Sequence, residues 1–229
     1  MKLSIIVPAY NEERTILTQL ELISRVHFKF PYEIIVVNDG STDSTHERIL
    51  TANKTIKNLK VISYNKNKGK GHALRLGISN AKGDIIVLQD ADLEYNPKQI
   101  PKLINEFLKN KAEVVYGSRF LEKNKSIYWM YAFGNKFLSL STSILFGKRV
   151  TDMETGYKVF SKHVFKKLKI NAEKFDFEPE VTAKILKNGF RITEVPISYK
   201  GRTKEMGKKI TVADGIKAFF TLLKYRFTE

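Results

Sequence analysis

Asp90, Asp92 and Glu94 stand at alternate positions of residues 83–95, GDIIVLQDADLEY. In an extended chain alternate side chains point the same way, so the three carboxylates would converge. Acids packed this closely repel one another, and a raised pKa or a bound cation relieves the repulsion. An all-oxygen set suits a hard divalent ion, Mg²⁺ or Mn²⁺, with coordination positions left for water or substrate phosphate. The alternative is a solvated acidic turn. The place of the cluster favours the metal: it directly follows the apolar run Ile85-Ile86-Val87-Leu88, and ligands of open α/β sheets bind outside the carboxyl ends of the strands.

Four successive apolar residues fit a strand buried on both faces of a sheet, and the first half of the chain repeats the unit that builds such a sheet. Residues 3–7 read as a strand stopped by Pro8, with Asn11, Glu12 and Glu13 capping a helix whose apolar face is Ile16, Leu20 and Ile23. Residues 33–37 form a second strand, 38–40 a turn, and Ser44 with Glu47 a capping box for a helix through Leu50. Residues 59–63 give a third strand, followed by the basic glycine loop 66–71 and a helix through Ala81. After the acidic cluster, Pro97 opens a helix with Ile100, Leu103, Ile104, Phe107 and Leu108 on one stripe, and residues 113–116 make a fifth strand. Further on, residues 175–189 read as a helix with Phe177, Val181 and Ile185 inward, and 191–198 as another strand. Glu178 and Glu180 either face the crevice or serve the helix dipole.

This alternation implies an α/β fold: a mainly parallel, Rossmann-like sheet with right-handed crossovers, flanked by helices, in one domain over residues 1–229. Loops 8–12, 38–43, 66–71 and 90–94 then gather at one crevice, a nucleotide site in outline. The glycine loop has neither of the common phosphate-binding spacings, G-x-x-x-x-G-K-S/T or G-x-G-x-x-G.

Composition narrows the class. With 40 Lys plus Arg against 24 Asp plus Glu, the formal charge is +16, which implies attraction to nucleotide phosphates, anionic lipid or nucleic acid, or a lysine-rich solvated surface with no single partner. The absence of cysteine excludes disulfides and thiolate metal sites. The apolar run before Pro8 is too short for a signal peptide, so a cytoplasmic location is expected.

The motifs SIIVPAYNEE, IIVVNDGSTD, NKGKGHALRLGI, DADLEY and VVYGSRF occur in this order, continued by TDMETGYKVF, FDFEPEVTAKI and EVPISYKGRTKEMGKKI. Together they resemble those of inverting family 2 glycosyltransferases with the GT-A fold, and more narrowly the branch of dolichol-phosphate mannose synthases and polyprenyl-phosphate glycosyltransferases. The resemblance covers nearly the whole chain. It implies a nucleotide-sugar half over 1–120 and an acceptor half over 121–229. It implies that Pro8, Tyr10 and Glu12 line the nucleoside pocket, that Asp39 contacts the base, and that Lys70 and Ala91 join Asp90 in the donor site. Asp90, Asp92 and Glu94 would hold the metal that bridges the diphosphate, Glu94 standing where many relatives carry Gln. Arg119 would bind the acceptor phosphate. Mannose synthases carry a second arginine further along, where this chain has Tyr131 and Phe133, with Lys136 the nearest cation.

The chemistry can also be argued from charge. Breaking a sugar–diphosphate bond builds negative charge on the leaving group, which a divalent ion and lysines stabilise. A phosphate acceptor is already an anion and needs only cations to hold it in line; Arg119, Lys136, Arg202 and Lys209 are the candidates. A hydroxyl acceptor needs a carboxylate to take its proton, and Asp152 is then the candidate; its alternative role is a helix cap or ion-pair partner. The polar, glycine-bearing stretch 201–209 reads as a loop closing over an anion.

Residues 126–146, with Tyr128, Trp129, Tyr131 and Phe133, contain no span of about 20 apolar residues, so they read either as an interfacial segment or as a helical pair packed on the sheet. Residues 212–227 have a similar amphipathic pattern. The expected function is a metal-dependent transfer of mannose or glucose from GDP-mannose or UDP-glucose to a polyprenyl or dolichyl phosphate, with Mg²⁺ or Mn²⁺ as cofactor. The protein would be peripheral at an anionic membrane surface, with room for a membrane-protein partner and with Asp92, Arg119 and Asp152 at the reaction centre. One alternative is extension of a surface polysaccharide or glycolipid at a hydroxyl. The other is a basic nucleic-acid-binding protein, disfavoured because the aromatics cluster in one apolar segment and no nucleic-acid motif appears.

Overall fold

The computed structural model describes residues 1–122, 129–203, 205, 207, 209 and 211–228, except for the side chain of Trp129. Strands β1 (Leu3–Ala9), β2 (Tyr32–Asp39), β3 (Leu59–Tyr64), β4 (Ile85–Leu88), β5 (Val114–Ser118), β6 (Lys158–Ser161) and β7 (Ile192–Pro196) form one sheet in the order β3-β2-β1-β4-β6-β5-β7. All described pairings are parallel except those of β6, which runs antiparallel to both β4 and β5.

Helices cover both faces, which is why the strands are apolar without alternation. Leu3, Ile5, Val7, Ile34, Val36, Ile85 and Val87 point to one side. There they pack with α1 (Ile16–Ser24), α2 (Thr45–Thr55) and α4 (Ile100–Lys109), the last preceded by a short turn at Pro97–Gln99. The intervening Ile6, Ile35, Val37, Ile86 and Leu88 point to the other side, under α3 (Lys70–Ser79), α6 (Lys162–Leu168) and α7 (Phe177–Lys187). A third, smaller cluster joins α7 to α5 (Trp129–Phe146) and α8 (Val212–Phe227) through Leu138, Ala183, Leu186, Ala218 and Leu222.

Several local expectations change. The first helix begins at Ile16, because Asn11 takes φ +49° and spends its side chain on the neighbouring loop, its Oδ1 accepting from Thr42 N at 2.8 Å. No capping box forms at Ser44 and Glu47: the Ser44 side chain makes no cap bond, and Asp43 Oδ1 accepts from Thr45 N at 3.0 Å instead. Of the two readings of residues 126–146, the helical pair gives way to a single helix from Trp129; residues 126–128 lie outside the described residues. Strand β6 and helix α6 had no sequence forecast. Because β6 is antiparallel, its beginning, not its end, faces the crevice above the parallel strands. Among the described residues no helix is long and apolar enough to cross a membrane.

Candidate active site

The crevice starts with a glycine turn built on a buried carboxylate. Asp39, at the end of β2, accepts four bonds: Tyr64 Oη at 2.8 Å and Lys68 N at 2.7 Å on Oδ1, Asn67 Nδ2 and Gly69 N, both at 2.9 Å, on Oδ2. These fill the lone-pair sites of a carboxylate. Asp39 itself borders the crevice, where the base contact was expected, and it also shapes the loop 66–69. Beside it, burial and the Asp39 charge push the Tyr64 hydroxyl far above its ordinary pKa.

Gly69 takes φ +101°, and a Cβ there would lie 2.4 Å from the Glu173 carbonyl oxygen. Gly69→Ala is expected to destabilise the protein by about 1–3 kcal/mol, through backbone strain and overpacking. Urea denaturation checks this; an unchanged midpoint would show that the loop yields without effect on the fold.

The loop delivers Lys70 to the start of α3. Its Nζ lies 2.9 Å from both Asp90 Oδ1 and Glu178 Oε1. Burial works against the charge, but the two carboxylates hold Lys70 firmly protonated. Glu178 thus faces the crevice, while Glu180 does not serve it: its oxygens accept from Asn171 N and Ala172 N and pair with Lys184.

The acidic turn is not extended. Strand β4 ends at Leu88, the chain bends through residues 91–95, and Leu93 takes φ +63°. Asp90, Asp92 and Glu94 all border the crevice, and Glu94 is already engaged there: Oε2 accepts from Tyr199 Oη at 2.6 Å and Oε1 from Arg202 N at 2.7 Å. The extended backbone expected over this stretch is thereby corrected. Among the described residues no three acidic or imidazole groups converge as a preformed metal cage. The donor chemistry of Asp90 and Asp92 still fits a hard dication. Burial, then repulsion from Asp90 and Glu94, pushes the Asp92 carboxyl up to about 7, against the pull of Arg202. Positive charge is what this cluster lacks.

Two residues expected to hold the acceptor supply some of it here. Arg202 bonds Glu12 Oε2 and Asp92 Oδ2, each at 2.9 Å, and Lys209 pairs with Glu12 Oε1 at 2.8 Å and with the Tyr10 carbonyl. Both therefore sit over the donor-side acids, which corrects their placing at the acceptor. Lys136 is exposed on α5, its Nζ 5.6 Å from the centre of the Phe120 ring, and does not border the crevice. Pro8, Tyr10, Glu12, Lys70, Asp90 and Ala91 all border it, as their donor-site assignment requires.

Arg119 follows β5 and is held by Asp152 through Nε–Oδ2 at 2.8 Å, Nη2–Oδ1 at 2.7 Å and its own backbone N–H to Oδ2 at 2.9 Å. Burial favours the neutral form of Arg119, yet Asp152 beside it holds the guanidinium charged. Arg119 borders the crevice; Asp152 is fully buried behind it and does not. A proton-accepting role for Asp152 is corrected on this ground to that of an ion-pair partner that orients Arg119.

Two charged groups escaped the sequence reading. Glu154 and Lys158 sit at the start of β6, and Glu154 borders the crevice. Burial, with Glu178 nearby, raises the Glu154 carboxyl to about 8. Burial likewise lowers Lys158, whose Nζ donates to the carbonyls of Met153 and Thr155.

Lys70, Asp90, Asp92, Arg119, Glu154 and Arg202 line one cavity of about 1000 Å³. Its floor is charged, and its far wall is Met130, Phe133 and Phe137 of α5 with Val212, Ile216 and Phe219 of α8.

Residues 4–169 match the family model for glycosyl transferase family 2. The chain is 30% identical, over 98% of its length, to the dolichol-phosphate mannosyltransferase of Pyrococcus furiosus, and spans 64% of that protein. It is 32% identical, over 96% of its length, to the UDP-N-acetylglucosamine–dolichyl-phosphate N-acetylglucosaminyltransferase of Methanococcus voltae, and spans 94% of it. Among solved structures, glucosyl-3-phosphoglycerate synthase from Mycobacterium tuberculosis, crystallised with Mn²⁺, UDP and glucosyl-3-phosphoglycerate, superposes with a TM-score of 0.75 at 22% identity, covering 98% of this chain and 79% of that one. At that identity the shared property is the fold. The family model takes in well over half of the chain, and with the sheet and crevice described above it shows that the chain belongs to glycosyltransferase family 2 and is a glycosyltransferase of the GT-A fold.

Proposed function

We propose that the protein transfers a hexose, with inversion, from a nucleotide diphosphate sugar to a polyprenyl phosphate lying at a membrane surface. The observation that carries the reading is the cavity itself, charged at the strand ends and apolar where it opens between α5 and α8. A ligand with a phosphate head and a hydrocarbon tail matches both ends. The two named relatives act on dolichyl phosphate, which supports the same acceptor class here.

In this reading the acceptor phosphate oxygen forms the new bond to the anomeric carbon, the bond to the diphosphate breaks, and its electron pair leaves with the nucleotide. No proton has to move, so the lack of a carboxylate base at Asp152 is no obstacle. Arg119, fixed by Asp152, presents N–H donors to the incoming phosphate. Lys70, Arg202 and Lys209 lie where charge grows on the leaving group. Asp90 and Asp92 would hold Mg²⁺ or Mn²⁺, which when bound supplies electrostatic stabilisation of the diphosphate. Incubation with polyprenyl phosphate, Mn²⁺ and radiolabelled GDP-mannose, UDP-glucose or UDP-N-acetylglucosamine tests the reading: label should enter the lipid phase with one of them. Label that enters only a hydroxyl acceptor such as a glycolipid would replace it.

The membrane placement has its own test. Met130, Phe133, Phe137, Leu140 and Ile144 form one exposed stripe of α5, and Val212, Ile216, Phe220 and Phe227 another on α8. Apolar patches of this kind mark interaction surfaces. Phe133 is 74% and Phe220 62% exposed, so Phe133→Ser with Phe220→Ser is expected to change folding stability by no more than about 0.5 kcal/mol. The same double change should weaken sedimentation with phosphatidylglycerol vesicles even at low salt. Binding of the unchanged protein should fall as salt rises, since each basic residue near anionic lipid contributes about 1 kcal/mol. A double variant that sediments as well as the parent would remove this face from the membrane.

A further inference from the structure

The strand order sets an order along the crevice. Asp39 leaves β2, Pro8 to Glu12 leave β1, Asp90 and Asp92 leave β4, Glu154 precedes β6, and Arg119 follows β5; these strands are neighbours in that sequence across the sheet. If the nucleoside lies over β1 and β2, the diphosphate at Asp90 and Asp92, and the acceptor phosphate at Arg119, the group being transferred must lie between the last two. Glu154 occupies that interval. It borders the cavity, and Gly156 beside it is packed so closely on Asp90 that a Cβ there would fall 2.2 Å from Oδ2.

Glu154 also has an unmet need. Its Oε1 is buried and has no hydrogen-bond partner among the described residues, an arrangement that costs free energy until a ligand supplies one. We propose that Glu154 hydrogen-bonds a hydroxyl of the transferred hexose and so takes part in choosing which sugar the enzyme accepts. The proposal rests on the nucleotide-sugar reading above.

The chemistry of the group selects a hydroxyl over the other parts of the substrates. A carboxyl raised to about 8 carries its proton at neutral pH, so it both donates and accepts. A hydroxyl does the same and is its complement. A phosphate oxygen can only accept, so it would match the carboxyl's donor and leave its acceptor unmet, and a hydrocarbon tail would match neither. The cations that act on Glu154 are engaged elsewhere: Lys158 donates to main-chain carbonyls, and Arg119 is held by Asp152.

Calorimetric titration of the full chain with Mn²⁺ tests this, using UDP-glucose, UDP-N-acetylglucosamine and GDP-mannose, each beside its own nucleoside diphosphate. For the sugar nucleotide that binds most tightly, Glu154→Ala is expected to weaken binding about tenfold, the scale of one hydrogen bond to a buried group. The matching diphosphate should bind both proteins within about twofold, and Glu154→Gln, which keeps a donor and an acceptor, should lie within about threefold of the parent. With deoxy-sugar donors the parent should lose affinity at one ring position, and Glu154→Ala should lose nothing further there. Equal weakening of diphosphate and sugar nucleotide would make Glu154 a structural residue; unchanged affinity for both would also overturn the proposal. Should the alanine variant fail to fold, the deoxy series on the parent and on Glu154→Met, of similar size but without a carboxyl to donate or accept, decides: no sensitive position in the parent, or the same loss in both, speaks against it. A parent protein that binds none of these nucleotides would instead overturn the nucleotide-sugar reading, and this proposal with it.

Discussion

Arg119→Ala is expected to lower kcat/KM for transfer to a polyprenyl phosphate by a hundredfold or more, and to remove roughly 3–5 kcal/mol of folding stability. The first effect follows from charge: the acceptor needs a positioned cation, and Arg119 is the one that borders the cavity beside β5. The second follows from Asp152, which is fully buried and accepts three bonds from Arg119. Truncating the arginine strands a carboxylate away from water. From sequence alone, Asp152→Asn should leave transfer to a phosphate within about tenfold, since no base is required. The pairing changes that forecast, because the arginine loses its charged partner and its fixed direction together. Asp152→Asn should therefore also lose several kcal/mol. In a double-mutant cycle by urea denaturation, the two changes should couple by about 1.5 kcal/mol or more. Single variants that each cost under about 1 kcal/mol would show the pair to be dispensable to the fold.

Much of the frame was legible because the parallel strands are buried on both faces and their apolar runs stand out against polar helices and glycine turns. Residues 85–88 show this plainly, and so did the loops that gather at their ends. What escaped lies where one residue's role depends on distant chain. Strand β6 is four residues long and pairs antiparallel, so no periodicity announced that Glu154 would reach the crevice. The pairing of Arg119 with Asp152 joins residues 33 positions apart; an ion-pair role for Asp152 is legible in the sequence, but its partner is not. Charge alone places Arg202 and Lys209 at the acceptor, because it carries no direction. The targets of Arg202, Glu12 and Asp92, lie 190 and 110 positions away, and Lys209 reaches Glu12 across 197. The turn after β4 departs from an extended chain at Leu93, a non-glycine residue in the left-handed region, and Glu94 beyond it bonds Tyr199 and Arg202, more than 100 positions away.

Asp92→Asn is expected to abolish the thermal stabilisation that a nucleoside diphosphate with Mn²⁺ confers, while leaving the free protein as stable as the parent or slightly more so. The two halves of the prediction have one cause. In the free protein, burial and the charges of Asp90 and Glu94 disfavour the ionised form of Asp92 more than Arg202 favours it, so a neutral side chain of the same shape relieves repulsion. With a dication present the balance reverses, and the lost carboxylate is a lost ligand. At ligand a hundred times its dissociation constant the parent should gain about 2.7 kcal/mol, and the variant none. Glu94→Gln separates this from a general effect of charge. Glu94 is held by the Tyr199 hydroxyl and by Arg202 N, so its substitution should weaken the free fold by about 1–2 kcal/mol and spare most of the Mn²⁺-dependent gain. Nucleotide affinity that is undiminished in EDTA, or a Glu94→Gln variant as blind to Mn²⁺ as Asp92→Asn, would mean that the cluster works differently. The first result would move the diphosphate onto Lys70, Arg202 and Lys209 alone; the second would restore all three carboxylates to the metal and require the turn to rearrange when it binds.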